Sequence, residues 1–275
     1  MAINYAVKWS PIVDEKFRKG ALTNGLDNFD YDWTGVSTVH VYQIPTVALV
    51  NYTLTGSARY GTPAELQNTK SDLTLTQDKA FTFSIDRRSV DDTMGAMEAG
   101  AALRREIDEV IIPTIDTYKL GAVVTGCPAA NLSTTDTISA SNAYEVLLTK
   151  QALLDDGLVP REGRVVYCSP AYYKFLKLDN NFIKKGDMAQ EIAINGVVGE
   201  VDGAFIVPVP TSYLPAKTNF VLAKIGTIPA PIKLMDMKVH DNPPGINGFL
   251  IEGRIRYDAF VLPNKAASIA VSQYT

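Results

Sequence analysis

Alternating apolar and polar side chains dominate the first third of the chain. In "STVHVYQIP", Val39 and Val41 fall on one face and His40 and Tyr42 on the other, the period-two signature of a strand. "LVNYTL" continues the same ribbon. A polar interval, "TGSARYGTPAELQNTK", follows. Then Leu73 and Leu75 alternate with threonines, "QDKA" can turn, and Phe81, Phe83 and Ile85 alternate again. This pattern predicts a β-hairpin, although its turn lacks an Asn-Gly or Asp-Gly pair.

After Asp92 the period lengthens. Met94, Met97, Ala101, Ile107, Val110, Ile111, Ile115 and Tyr118 recur at helical spacing, with Asp92 or Thr93 as N-cap. Arg104–Asp108 and Arg105–Glu109 are set for one-turn ion pairs on the exposed side. Pro113 should kink this helix without ending it. The stripe predicts a helix of about 25 residues, long against a mean of roughly 11–12.

A second unit starts near Thr125. "SNAYEVLLTKQALLDDG" reads as an amphipathic helix with Gly157 at its C-terminal cap. "RVVYC" is a short apolar strand, and "SPAYYKFLK" opens a helix with Ser169 as cap and Pro170 at the first position. "NGVVGEVDGAFIVPVP" is strand material interrupted by Gly196, Gly199 and Gly203. "GFLIEGRIRYDAFVLPNKAASIAV" holds two strands with Pro263 and Asn264 in the bend between them. Residues 1–35 carry no strong period beyond a short helix near Val13–Lys19.

Composition narrows what such a chain does. Its 275 residues are 46% hydrophobic and 20% charged, the balance of a packed globular protein. The net charge of −4 offers no basic surface for gripping nucleic acid. Cys127 and Cys168 form no disulfide or metal framework. No signal-peptide pattern or membrane-length apolar run is present. His40 and His240 are the only histidines. No zincin, hydrolase-elbow or phosphate-loop motif occurs. "DYDWTG" places Asp30, Asp32, Thr34 and Gly35 like the start of a calcium loop, but Val41 stands where the bidentate glutamate belongs. No catalytic residue, cofactor or metal is expected. The mixed charges Asp86, Arg87, Arg88, Asp91 and Asp92 at the strand-to-helix junction read as an ion-pair cluster between subunits.

The order of "FTFSIDRRSVDDT", "AGAALRREIDEVIIPTIDTYKL", "GRVVYCSPAYYKFL", "NGVVGEVDGAFIVPVP" and "IRYDAFVLPNKAASIAV" resembles the major capsid protein of tailed bacteriophages with the Hong Kong 97-type fold. The resemblance covers the whole chain and implies an α+β fold. It would make residues 1–35 the N-terminal arm, 36–51 a peripheral-domain strand and 52–86 an extended β-hairpin loop lying over a neighbour. Residues 87–124 would be the peripheral domain with its spine helix, 125–228 the axial α/β domain, and 229–275 the C-terminal strands of the peripheral domain.

The function implied is self-assembly, through hexamers and pentamers, into the icosahedral head enclosing double-stranded DNA. Expected partners are further copies of the chain, a portal, a separate scaffolding protein (the arm starts at once, with no long scaffold segment before it) and a cement protein. Assembly would occur in the host cytoplasm, with no membrane involved. Interface residues expected on this basis are Lys79, Phe81, Phe83, Asp86, Arg87, Arg88, Asp91, Asp92, Arg104 and Arg105. The type member cross-links a loop lysine to an asparagine of a neighbour. Lys79 and Asn264 are loosely placed for this, but no glutamate follows Glu252 to take the lysine proton, so no cross-link is expected. An encapsulin compartment and a cytoplasmic α/β enzyme are the rival readings.

Overall fold

The computed structural model describes residues 21–33, 38–63, 65–92, 99–179 and 199–275. The helix expected near Val13–Lys19, and positions Thr34, Gly35, Thr93, Met94, Met97 and Gly196, lie outside these residues. The chain divides into two compact units, Met1–Asp30 with Thr76–Thr275, and Tyr31–Leu75.

The smaller unit is a ribbon. Strand β1 (Thr38–Gln43) pairs antiparallel with β2 (Thr69–Thr74), from Thr38↔Thr74 to Gln43↔Thr69. The described residues between them form a loop without strands, so "LVNYTL" does not extend the ribbon as expected. Pro45 and Pro63 withhold backbone donors, and Gly56 and Gly61 take positive φ, which together favour turns over a ladder. The loop is tied across its tip, where Thr53 N–H donates to Arg59 O at 3.1 Å and the rings of Tyr52 and Tyr60 meet edge to face at 5.0 Å.

In the larger unit, β3 (Gln77–Asp86) does not fold back on β2, which corrects the expected hairpin across "QDKA" and takes Lys79 out of a turn. β3 pairs instead with β10 (Gly248–Tyr257), which also pairs with β9 (Ile232–Asp241), in the order β3-β10-β9. The alternation in β3 selects which face is buried but not which strand lies beside it. With no strong local turn, the long-range partner wins. Phe81, Phe83 and Ile85 share the inner face with Ile251, Ile255 and Tyr257. Opposite Phe81 stands Gly253, where a β-carbon would lie 2.3 Å from the ring, so the aromatic occupies the space a side chain would need.

Helical structure begins earlier than expected, with α1 (Arg87–Asp92) directly after β3. A continuous helical rod then covers α2 (Ala99–Glu106), a π turn (Ile107–Ile111) and α3 (Ile112–Thr125). Ile112 N–H reaches back five residues to Ile107 O. The wide turn has two physical causes. Pro113 has no N–H for the Glu109 carbonyl, so the ladder must adjust just ahead of it. In addition, Leu103, Ile107, Ile111 and Ile115 are spaced by four, which overshoots a 3.6-residue turn by about 40° at each step. A wider turn brings the stripe back onto the sheet. The rod therefore adjusts at a π turn where a proline kink was expected. Val110, expected in the stripe, is exposed.

The six-stranded sheet runs β4 (Leu132–Ser133), β11 (Ile269–Gln273), β8 (Thr218–Lys224), β5 (Arg164–Cys168), β7 (Ala204–Pro208), β6 (Gly199–Val201). Both its faces are covered, which is why its central strands are continuous apolar runs. Val165, Tyr167, Val221 and Val271 meet Leu120 and Val123 of α3 on one face. Val166, Cys168, Leu222 and Ala270 meet α4 (Ala143–Asp156) and α5 (Pro170–Leu178) on the other. Ser169 caps α5 as expected, its Oγ accepting from Tyr172 N–H at 3.2 Å. The two C-terminal strands go to different sheets, β10 to the three-stranded and β11 to the six-stranded one. The rod spans both cores, Ile111 and Ile115 in one and Leu120 and Val123 in the other.

Candidate functional site

Among the described residues no group of three or more His, Cys, Asp or Glu side chains could hold a metal ion. Burial pushes the Cys127 thiol up to about 11, so it is protonated at neutral pH. Among the described residues, several buried charges hold distant segments of the fold together. Asp258 accepts from Thr76 N–H (2.7 Å), Thr76 Oγ1 (2.8 Å), Tyr118 Oη (2.8 Å) and Ala259 N–H (2.8 Å). One carboxylate thus fastens the start of β3, the rod and the end of β10. Asp116 accepts from Leu22 N–H and Thr23 Oγ1, and Lys119 Nζ contacts both oxygens of Asp27 at 2.7 Å. These bonds seat residues 22–27 on α3. Burial raises the Asp27 carboxyl more than its lysine lowers it.

The strand-to-helix junction lies at the surface. Asp86, Arg87, Arg88 and Asp91 are exposed, as is Arg104, while Arg105 is half-buried. Arg87 Nη2 pairs at 3.0 Å with Asp241, on β9 of its own chain. The Asp86 carboxylate accepts from Arg88 N–H at 2.9 Å, closing the turn into α1. Arg104 Nε lies 4.0 Å from Asp108. Phe81 and Phe83 pack under the three-stranded sheet of their own chain. Lys79 stands exposed on β3 opposite Ile255 and lines an open groove with Val110 and Thr114 of the rod. The side chain of Asp92 is outside the described set. These charges therefore do not converge on one cavity, and their common property is a place at the surface edge between β3 and the rod.

The largest chemical feature was missed by the sequence reading. Nine of the seventeen exposed large hydrophobic side chains among the described residues lie between Tyr42 and Leu66, with Ile44, Leu49, Leu54 and Tyr60 between 73% and 102% exposed. Their own unit has too little structure to cover them. Isolated apolar side chains are ordinary on a surface, but a run of this density is not. The signal in the sequence was "IPTVALVNYTL" itself, apolar but without a consistent period.

Comparison with protein families matches residues 70–271 to a family model described as phage capsid protein. Comparison with functionally curated proteins gives no match. Among solved structures, one from Mycobacterium phage Che8 is similar with a TM-score of 0.74 at 17% identity, covering 98% of each chain. The capsid structure of cyanophage P-SCSP1u gives 0.75 at 13% identity, covering 98% of this chain and 93% of that one. The mature capsid of bacteriophage PhiM1 gives 0.72 at 13% identity, covering 99% and 92%.

Proposed function

Given that the chain belongs to the phage capsid protein family and is a major capsid protein of the phage head shell, with the Hong Kong 97-type α+β fold, we propose that the apolar loop between β1 and β2 is its principal attachment to a second copy. The observation that carries this is the density of uncovered apolar side chains from Tyr42 to Leu66. Burying them between copies supplies the association energy that a monomer forgoes, at about 25 cal/mol per Å². In this reading the three-stranded sheet and rod form the peripheral domain, the six-stranded sheet with α4 and α5 forms the axial domain meeting copies at five- and sixfold positions, and residues 1–35 act as an arm. Asp91, Arg104 and the Lys79 edge then face neighbours, whereas Arg87 first serves its own chain.

The shell encloses double-stranded DNA without reading its sequence, in keeping with the net charge of −4. It forms in the host cytoplasm around a separate scaffold and a portal, with room for a cement protein, and is held without covalent links. The triple variant Leu49→Ser, Leu54→Ser, Tyr60→Ser tests the attachment. Wild-type protein should sediment as capsomers or megadalton shells. The variant should keep its circular dichroism spectrum yet remain a small species. Shells of normal yield from the variant would refute the proposed role of the loop. Boiled wild-type shells should run as one band near 29.9 kDa, and a ladder of multimers would show a covalent shell instead.

A further inference from the structure

Helix α4 ends at Asp156 with Gly157 as its C-cap, as expected, but the left-handed position falls on the residue after the glycine. Leu158 N–H donates to Asp155 O at 2.9 Å and Val159 N–H to Leu154 O at 3.0 Å, the paired closure that puts the residue after the cap in the left-handed region. That residue is Leu158, with φ 56°, while Gly157 sits at φ −74° where any residue is comfortable. A leucine is strained in this position and a glycine is not. It is 91% exposed, more than any other large hydrophobic among the described residues of its unit, so burial within the chain does not offset the strain.

The base below it is rigid. Val159 packs on the core beneath α4, and Asp155 accepts from both Arg161 and Arg164. Ile225 N–H donates to Gly163 O at 2.7 Å, tying the loop to the end of β8. The structure therefore presents an apolar knob on a fixed mount, at a cost in local conformation that among the described non-glycine residues is otherwise borne by the polar Asp202, Lys217 and Asn242. Fixed presentation favours binding because little freedom remains to be lost.

We infer that Leu158 is a contact residue between copies of this chain, inserting into the surface of a neighbour in the shell. The occupant is a second copy for two reasons. A closed shell surrounds every chain with others. The exposed residues next to the knob in sequence also carry both signs, Asp156, Arg161 and Glu162, which suits a neighbour bearing the same mixed surface and not a polyanion. The inference rests on the shell reading, and its test is separable from it.

The decisive variant is Leu158→Gly, because it should make the unassembled protein more stable. Relief of the left-handed strain should raise its melting temperature by about 2–4 °C. Loss of one buried leucine per contact should raise the protein concentration at which shells appear by about tenfold. Reduced assembly from a more stable chain cannot be misfolding. An unchanged onset concentration would overturn the inference. In a second measurement, Leu158→Cys should react with a maleimide in unassembled protein and be protected in purified shells. Cys127 contributes little background at neutral pH, its thiol being held up to about 11, and the wild type corrects for it. Equal labelling in shells, as expected if a different protein covers the knob, would also overturn it. Failure of the wild type to form shells at all would instead count against the shell reading.

Discussion

At the scale of single residues, buried polar groups bind distant segments together, and each is exposed to a simple test. Lys119 is almost fully buried against Asp27. Replacing it by Met leaves a carboxylate unpaired at low dielectric, and unfolding by denaturant should show a loss of about 3–5 kcal/mol. Adding Asp27→Asn should recover most of that loss, since a buried ion pair is often replaceable as a unit. Because burial raises the Asp27 carboxyl above its ordinary value of 3.8, the folded state holds that proton more tightly than the unfolded chain. Stability from this group is fully present below the ordinary value and is lost as pH rises through the folded value. The exposed Asp78 behaves oppositely. The Arg254 guanidinium holds it below the usual carboxylate range, so its contribution is present above the ordinary value and is lost as pH falls through the folded one. In Arg254→Gln the acid midpoint of unfolding should therefore move to higher pH, and high salt should shrink the difference. Gly253→Val, which forces a side chain into the Phe81 ring, should cost about 1–3 kcal/mol by thermal melting.

Elements were legible in the sequence wherever local chemistry decided them. Ser169 and Pro170 announced α5, and the apolar runs of β5 and β11 announced strands. Partnership between elements was not legible. The alternation of Phe81, Phe83 and Ile85 is satisfied by any strand that offers an apolar face, and β10 is over 160 residues away. The π turn was legible in retrospect, since Leu103, Ile107, Ile111 and Ile115 keep a spacing that a regular α-helix cannot hold on one face. The apolar loop between β1 and β2 was missed because exposed apolar residues without a period match neither a helix nor a strand template. A deletion tests the account of the rod. Removing exposed Val110 converts the wide turn into a regular one and should leave the melting temperature within about 2–4 °C of the wild type. Removing exposed Thr149 from regular α4 rotates the rest of that helix off its core and should abolish cooperative melting.

For the molecule as a whole, two cores share one rod, and a separate ribbon carries the apolar loop. Capsid assembly should change the exposure of the two units unequally. Arg59 lies in the exposed loop. Trypsin should cut unassembled chains there first, whereas shells should resist under the same conditions. Equal cutting in both states would mean that the loop stays uncovered in the shell.

The Asp258 carboxylate has a consequence that belongs to time. It bonds Thr76 across a sequence separation of 182 residues. On a ribosome adding about 5–20 residues per second, β3 is complete roughly 10–40 s before its partner emerges. The ribbon, by contrast, has both strands in hand by Thr74 and can close at once. For that interval each nascent chain shows an apolar strand edge with nothing of its own to pair with, beside other chains in the same condition. Synthesis of this chain therefore leaves β3 unpaired before any shell can form, the condition in which strand edges aggregate.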